Sequence, residues 1–193
     1  MKRKRHVVSE AKKLVRKKLG NGEPGHDYWH CHRVVQIALK IGKKEKANLL
    51  VLELAGWLHD IAIDDDKPNH EKTGAKMARK FLEKQEVNPK VIDQVVDCIL
   101  RHRFSKNIKP QTLEEKIIQD ADKLDALGAM GIARAFLVAG KFRVTVHDPK
   151  IKPSFEHYLK KGLSTTTINH FYEKLFKLRG MLHTKTAQQI AKK

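Results

Sequence analysis

The sequence predicts an all-α protein that folds as one helical bundle over residues 1–193. Apolar residues recur at helical spacing along nearly the whole chain, and no alternating apolar run is long enough for a sheet. Hydrophobic residues make up 40% of the chain, which is sufficient for a packed core. The length of 193 residues suits a single domain.

The first three predicted helices are recognised by apolar stripes and by residues that start or stop a helix. Glycines at positions 20 and 22 end the first helix. Asp27 is a typical N-cap, so we expect the second helix to begin beside it and to bury Val34 and Ile41. The third helix is expected from about 46 to 63, because LLVLELAGWLHDIAI is strongly apolar.

Further helices are predicted after the acidic loop DDDKPN. Residues 140–163, which include Pro149 and Pro153, form the least regular part of the chain. Gly140 is expected to stop a long sixth helix. The predicted bounds are about 70–86, 89–103, 113–139 and 164–178, with a last amphipathic segment at 184–193.

Charge is the unusual feature of the composition. The chain has 40 Lys and Arg against 22 Asp and Glu, which gives a formal net charge of +18. Such a surplus attracts polyanions, so nucleic acid is one predicted class of partner. Aromatic residues make up only 6% of the chain, which argues against a base-stacking platform for single strands.

The same composition excludes several classes of protein. No apolar stretch approaches the roughly 18 residues of a membrane span, and no apolar h-region follows the charged N-terminus. We therefore expect neither a membrane segment nor a secretory signal. Cys31 and Cys98 have no zinc-binding spacing and are too few for a disulfide framework, so a reducing cytoplasm is the expected location.

Ionisable side chains interrupt the apolar faces of three predicted helices. His30 lies in line with the apolar residues of the second helix, and His59 extends the apolar stripe of the third. Asp120, Asp122 and Asp125 lie within the apolar segment IIQDADKLDALGAMGIA. Periodicity leaves the choice between Asp120 and Asp122 open, because they differ by about 200° around a helix.

Burying such groups is costly unless something compensates them, and a metal ion is a physical answer. A cation neutralises carboxylates and accepts imidazole nitrogens. Two His and two Asp form a mixed nitrogen and oxygen set, which suits a divalent transition metal better than Ca²⁺ or a thiolate site. The sequence therefore predicts a metal centre made by three helices.

Several motifs resemble the HD-domain superfamily of metal-dependent phosphohydrolases, in particular its small stand-alone hydrolases. The matching segments are HDYWHCHRV, AGWLHDI, NHEKTGAKMA, ILRHRFS and IIQDADKLDALGAMGIAR. The resemblance is dense over about 24–140 and looser over the C-terminal extension at about 141–193. Family members usually continue for another helix, which leaves a truncated C-terminus open.

The resemblance implies that His30, His59, Asp60 and Asp122 are the metal ligands. Asp122 is preferred over Asp120 because the family ligand precedes the basic residue of DADKLD. The implied cofactor is a divalent ion, either Mn²⁺, Fe²⁺, Co²⁺, Ni²⁺, Zn²⁺ or Mg²⁺. The implied reaction is attack of metal-activated water on a nucleotide or another small phosphate ester or anhydride.

Other site residues follow from position and from the resemblance. Asp64 resembles the second acid of the HDxxED pattern in relatives that cleave guanosine polyphosphates, although Ile63 replaces the first acid. We expect Asp64 to act as a general acid or to orient water. Arg33 could bind phosphate or hold a carboxylate behind the ligands. His26 is interpreted as a group at the pocket edge.

Three further residues are candidates for binding substrate or a second metal. His70 and His102 occupy positions where some HD relatives place histidines that bind a second metal or the leaving phosphate. Lys123 is one of several nearby cations that could stabilise developing negative charge. The pocket walls are expected from residues 64–70, 103–112 and 140–160.

Two other functions remain open from sequence. In the first, the HD pocket is vestigial and the chain is a basic nucleic-acid-binding protein. In the second, two irons in the same fold carry out an oxygenation, which requires additional histidine ligands. The oligomeric state and the identity of the substrate are not determined by the sequence.

Overall fold

The structure is a computed structural model that describes residues 2–20, 25–103, 106 and 108–192. Within these ranges the chain forms α-helices joined by turns and short 3₁₀ segments, and it forms no β-strand. This confirms the predicted all-α class. A π-helical turn, Phe171–Leu175, joins the short helices Thr167–His170 and Phe176–Leu178. The helices are α1 Lys2–Leu19, α2 Tyr28–Glu45, α3 Leu49–Leu58, α4 His70–Lys84, α5 Pro89–Arg101, α6 Leu113–Asp125, α7 Gly128–Lys141, α8 Phe155–Lys161, α9 Thr167–His170, α10 Phe176–Leu178 and α11 Lys185–Ile190.

Helix α3 is the centre of the bundle and packs against α1, α2, α5 and α6. It is apolar nearly all round, so burial from several sides is the stable arrangement. Gly56 allows α2 to approach closely, because a Cβ atom at this position would lie 2.8 Å from a methyl carbon of Val35. The close approach brings the end of α3, with His59, beside His30 of α2.

Several helix starts use the caps that local sequence specifies. Asp27 accepts a hydrogen bond from the backbone N–H of His30, which starts α2 where the sequence predicts. Asn48 accepts from Leu50 and Val51 at the start of α3. These caps satisfy backbone donors that have no partner inside the helix.

Helix α3 is shorter than the predicted 46–63. It begins only after the Asn48 cap, and Lys46, with φ 61°, has already left the α-helical region. Beyond Leu58 the backbone tightens into i→i+3 turns, in which the N–H of Ile63 donates to the carbonyl of Asp60. The His59–Asp60 doublet therefore lies on a turn at the end of the helix.

The predicted long helix over 113–139 is wrong, because α6 and α7 are separate. Gly128 has φ +64°, a left-handed conformation that breaks the helical path. The break reverses the chain enough for the Arg134 guanidinium of α7 to reach the Asp125 carboxylate at the end of α6. The break therefore places the Arg134 guanidinium beside Asp125, whereas in one continuous helix the two side chains would lie far apart.

The C-terminal part also differs from the prediction. Helix α8 lies inside the segment expected to be irregular, and it begins after the Ser154 cap. The next helix starts at Thr167 rather than near 164, because the Thr166 side chain caps it. Buried Asp120 accepts hydrogen bonds from the backbone of His183 and Thr184, which holds the last segment against α6. None of the described helices is both long and apolar enough to cross a bilayer.

Candidate metal centre

The four side chains predicted as ligands converge at the end of α3. The Nε2 atoms of His30 and His59 lie 3.2 Å apart. Asp60 Oδ2 lies 3.5 Å from His30 Nε2 and 3.4 Å from His59 Nε2. Asp122 Oδ1 lies 3.5 Å from His30 Nε2, so α6 closes the group from the third side. Three of these side chains are almost completely buried, and Asp122 is partly exposed.

A second group forms around the other oxygen of the same carboxylate. Asp60 Oδ1 lies 3.5 Å from His70 Nε2 and 3.4 Å from His102 Nε2. The two imidazole nitrogens lie 3.2 Å from each other. Asp60 therefore lies between two pairs of histidines, and each pair has a spacing that could hold one ion.

The hydrogen bonds behind the rings determine which nitrogen faces the pocket. The Nδ1 atoms of His59, His70 and His102 donate to the backbone carbonyls of Gly56, Lys67 and Ile99, respectively. A carbonyl only accepts, so each Nδ1 carries a proton and each Nε2 faces the pocket, where the neutral ring offers its lone pair. His30 Nδ1 donates to the Asp125 carboxylate with the same result. This orientation is the usual one for imidazoles that bind metals.

The chemistry of the pocket fits a divalent cation. The Nε2 atoms of the four histidines and the carboxylates of Asp60 and Asp122 face one another, and each Nε2 is an acceptor when its ring is neutral. Two neutral rings whose Nε2 lone pairs face each other at 3.2 Å repel each other, and either a proton or a metal cation between them removes the repulsion. Mixed imidazole and carboxylate ligands suit a divalent transition metal.

The pKa values describe the same attraction for positive charge. Burial alone would lower the pKa of His59, but the adjacent Asp60 carboxylate raises it to about 9. Burial would raise the pKa of Asp60, yet the surrounding histidines, first His59 and then His26, hold it well below its usual range. Metal binding at neutral pH is therefore expected to release a proton from His59.

Asp125 is a member of the site that the sequence analysis did not assign. Its carboxylate accepts from His30 Nδ1 at 2.8 Å, from Arg33 Nε at 2.6 Å and from Arg134 Nη1 at 2.9 Å. Burial would raise its pKa, but the His30 hydrogen bond and the Arg33 guanidinium hold the pKa well below its usual range. The sequence feature that could have indicated a role for Asp125 is its position one turn after Asp122 on an apolar helix.

Replacing Asp125 with asparagine is expected to weaken metal binding by about 10- to 100-fold while the fold is retained. The amide removes the negative charge that two guanidinium groups and His30 share. Mn²⁺ affinity measured by titration would test this. Asp93→Asn is the matched control, because Asp93 forms an exposed pair with Arg79. Equal Mn²⁺ affinity in both variants would contradict a positioning role for Asp125.

The other predicted residues lie in different surroundings. Arg33 holds the Asp125 carboxylate, which is the second of its two predicted roles. His26 lies at the pocket edge as expected, with Nδ1 2.7 Å from Asp60 Oδ2 and the side chain 36% exposed. Asp64 is exposed on the turn that follows the doublet. Lys123 is buried and contacts Gln119 and His183 instead of the histidine groups.

A cavity of about 170 Å³ adjoins the metal centre. His26 and Arg134 belong to both, so the cavity opens beside Asp60 and Asp125. The cavity is lined by residues from 64–70 and 140–160, two of the segments predicted as pocket walls. It is also lined by residues of α7 and of 162–175, which were not predicted as walls. Among the described residues, none from 103–112 lines this cavity. The remaining polar lining residues include Lys67, Tyr158, Ser164, His170 and Lys174.

Comparison with known families and structures agrees with this geometry. The HD domain family model matches residues 28–127, which contain all the histidines and carboxylates of the two groups. The matched range is more than half of the chain. It begins at α2 and ends in the turn between α6 and α7.

Similar proteins of known structure share the whole fold. A Lactobacillus plantarum protein is 34% identical, with a TM-score of 0.83 over 97% of this chain and 89% of that one. A Bacillus thuringiensis protein described as an HD-superfamily hydrolase is 32% identical, with a TM-score of 0.75 over 98% and 89% of the two chains. Bacillus subtilis YpgQ is 36% identical over 86% of this chain and 76% of its own. The structure of YpgQ in complex with ADP has a TM-score of 0.73 over 99% and 86%.

Proposed function

Because this chain belongs to the HD domain family, we propose that it is a divalent-metal-dependent phosphohydrolase that hydrolyses a nucleotide or another small phosphate ester or anhydride. The observation that carries the proposal is the Asp60 carboxylate between two pairs of histidine Nε2 atoms. HD-superfamily hydrolases among its structural neighbours support hydrolysis as the reaction class.

In this proposal His30, His59, Asp60 and Asp122 hold the first metal. His70 and His102 hold a second metal together with Asp60 Oδ1, or they contact the phosphate of the substrate. A bound divalent ion would lower the pKa of a coordinated water and polarise a phosphoryl oxygen. No nucleophilic side chain is required for this reaction.

The residues of the chain itself bind and orient the substrate. Arg134 and His26 border both the metal centre and the cavity, so a phosphate between them would be close to the water that attacks it. Lys67 lines the same cavity and adds a positive charge near the transferred group. Arg33 is partly buried, contacts Asp125 and thereby supports His30.

A nucleotide is the substrate class that the cavity supports best. The YpgQ complex with ADP shows that a relative binds a nucleoside phosphate. Burial lowers the pKa of His170 to about 4, so its ring is neutral at pH 7. Its Nδ1 lies 2.9 Å from Ser164 Oγ in the cavity wall. Neutral polar groups of this kind suit a base or a sugar hydroxyl, while the cations suit phosphate.

The proposal is tested with a panel of nucleotides and phosphate esters in the presence of Mn²⁺, Mg²⁺, Co²⁺, Ni²⁺ or Zn²⁺. Release of phosphate and of pyrophosphate is measured separately for each combination of substrate and metal. The proposal expects metal-dependent release from at least one substrate, abolished by a chelator. If protein that binds metal releases neither product with any combination of substrate and metal, the proposed function is overturned.

The double variant His70→Ala/His102→Ala is expected to raise KM or lower kcat by at least about tenfold, or roughly 1.4 kcal/mol of transition-state binding. The Nε2 atoms of both rings lie within 3.5 Å of Asp60 Oδ1, so the loss of the rings removes a phosphate contact or the ligands of a second metal. Metal content per chain distinguishes these roles. The control is His6→Ala/His147→Ala, since both histidines are exposed. Kinetics like those of the control would show that His70 and His102 do neither.

A further inference from the structure

A second cleft, of about 440 Å³, lies between α6, the segment after α5 and the segment before α11. The structure brings three cations and a histidine to its walls. Arg103 and Lys109 come from the segment after α5, Lys123 comes from α6, and His183 comes from the C-terminal segment. We call this the cationic cleft. Among the described residues it shares no lining residue with the cavity at the metal centre.

Lys123 is the central feature of the cationic cleft because it is buried and, among the described residues, no acidic side chain contacts it. Only 4% of the residue is exposed. Its Nζ lies 3.0 Å from Gln119 Oε1 and 3.4 Å from His183 Nε2. An ammonium group has three donors, so these two neighbours leave one donor without a described partner, while Asp120 and Asp122 attract its charge without contacting it.

The carboxylates near Lys123 are engaged elsewhere. None of the described acidic side chains comes within 4.0 Å of Lys123 Nζ, including Asp120 and Asp122 on the same helix. Asp120 accepts hydrogen bonds from the backbone of His183 and Thr184. A buried charge without a contacting counterion is expensive, so a ligand that supplies the opposite charge would stabilise it.

The other cations of the cleft differ in how far they are neutralised. Arg103 lies 3.2 Å from the Glu71 carboxylate, so part of its charge is already paired. Lys109 is exposed at the mouth. Among the described residues no Asp or Glu lines the cleft, so the charged side chains on its walls are all cationic.

The position of Lys123 separates this cleft from the metal centre. Adjacent residues on an α-helix differ by about 100°, so Asp122 can face the histidines while Lys123 faces the cleft. The contacts of the two side chains agree with this, since Asp122 approaches His30 and Lys123 approaches Gln119 and His183.

We propose that the cationic cleft binds the phosphate group of a small phosphorylated molecule, at a site distinct from the metal centre. Phosphate matches the cleft because it carries up to two charges and several acceptor oxygens for cations from separate segments. A cleft of 440 Å³ has the size of an ordinary small-molecule site. Lys123 therefore contributes to this second site and does not act on the transferred phosphate.

The probe is inorganic phosphate, titrated calorimetrically into the full chain after treatment with a chelator and desalting. Binding at the cleft is identified by its loss in variants of the cleft residues and by its retention in a variant of the metal centre. Lys123→Met is expected to weaken binding at least tenfold, and Lys109→Met about threefold. Lys90→Met, which removes an exposed charge at the far end of α5, is expected to bind like the wild type.

Asp60→Ala is the second control, and it is expected to bind phosphate like the wild type, because it alters only the metal centre. AMP in place of phosphate tests whether a larger phosphorylated molecule also fits. Lys109 is exposed, so its variant keeps the test valid if Lys123→Met does not fold. Absence of saturable binding, equal binding by the Lys109 and Lys90 variants, or loss of binding in Asp60→Ala would overturn the proposal. No hydrolysis enters this measurement, so failure of the proposed function leaves its outcome unchanged.

Discussion

Replacing Asp60 with alanine is expected to abolish hydrolysis and to reduce bound metal to a small fraction of the wild-type content. The carboxylate lies within 3.5 Å of four histidine Nε2 atoms and is the only charge that both histidine pairs share among the described residues. Its removal leaves the imidazoles without the anion that draws a cation between them. Metal per chain after loading with Mn²⁺ and dialysis, together with phosphate release, measures both effects.

The fold is expected to persist in this variant, because the packing of α3 against its neighbours does not depend on Asp60. Circular dichroism establishes that the helices remain. Asp93→Ala, which removes an exposed carboxylate of α5, serves as the control and should keep metal and activity. Substantial metal retention in a folded Asp60→Ala protein would disprove the assignment of the centre.

Replacing Asp64 with alanine is expected to slow turnover by about 10²- to 10⁴-fold while metal content is unchanged. Asp64 lies on the turn that directly follows the ligand doublet, so the turn can bring it to a leaving group at the metal centre. As a proton donor or water-orienting group it would act on the chemical step alone. We therefore expect kcat to fall.

The neighbouring acid provides a close comparison for Asp64. Asp65 is also exposed, and its carboxylate pairs with Lys18 at 2.7 Å. Asp65→Ala changes charge equally but should leave kcat near the wild-type value. If Asp64→Ala is as active as the wild type, then Asp65, Asp66 or water carries the proton and our general acid is incorrect.

Local signals in the sequence were sufficient for much of the fold. The Asp27 cap starts α2 as predicted, because a cap depends on hydrogen bonds within a few residues. The apolar stripes likewise determined that His30 and His59 face the core. The ligand doublet itself could be located by its place at the end of the most apolar segment. The break at Gly128 was missed because a left-handed glycine is indistinguishable in sequence from one inside a helix.

The sequence by itself thus determined the helical class and the residues that would be buried without ordinary partners. Only the tertiary structure decided how these residues pair. It placed Asp60 between two pairs of histidines, joined Asp125 to His30 and Arg33, and turned Lys123 into a separate cleft. Helical periodicity specifies which face a residue occupies, but His30 and Asp125 are 95 positions apart. Their contact depends on how α2 and α6 cross, which is set by packing of the whole core.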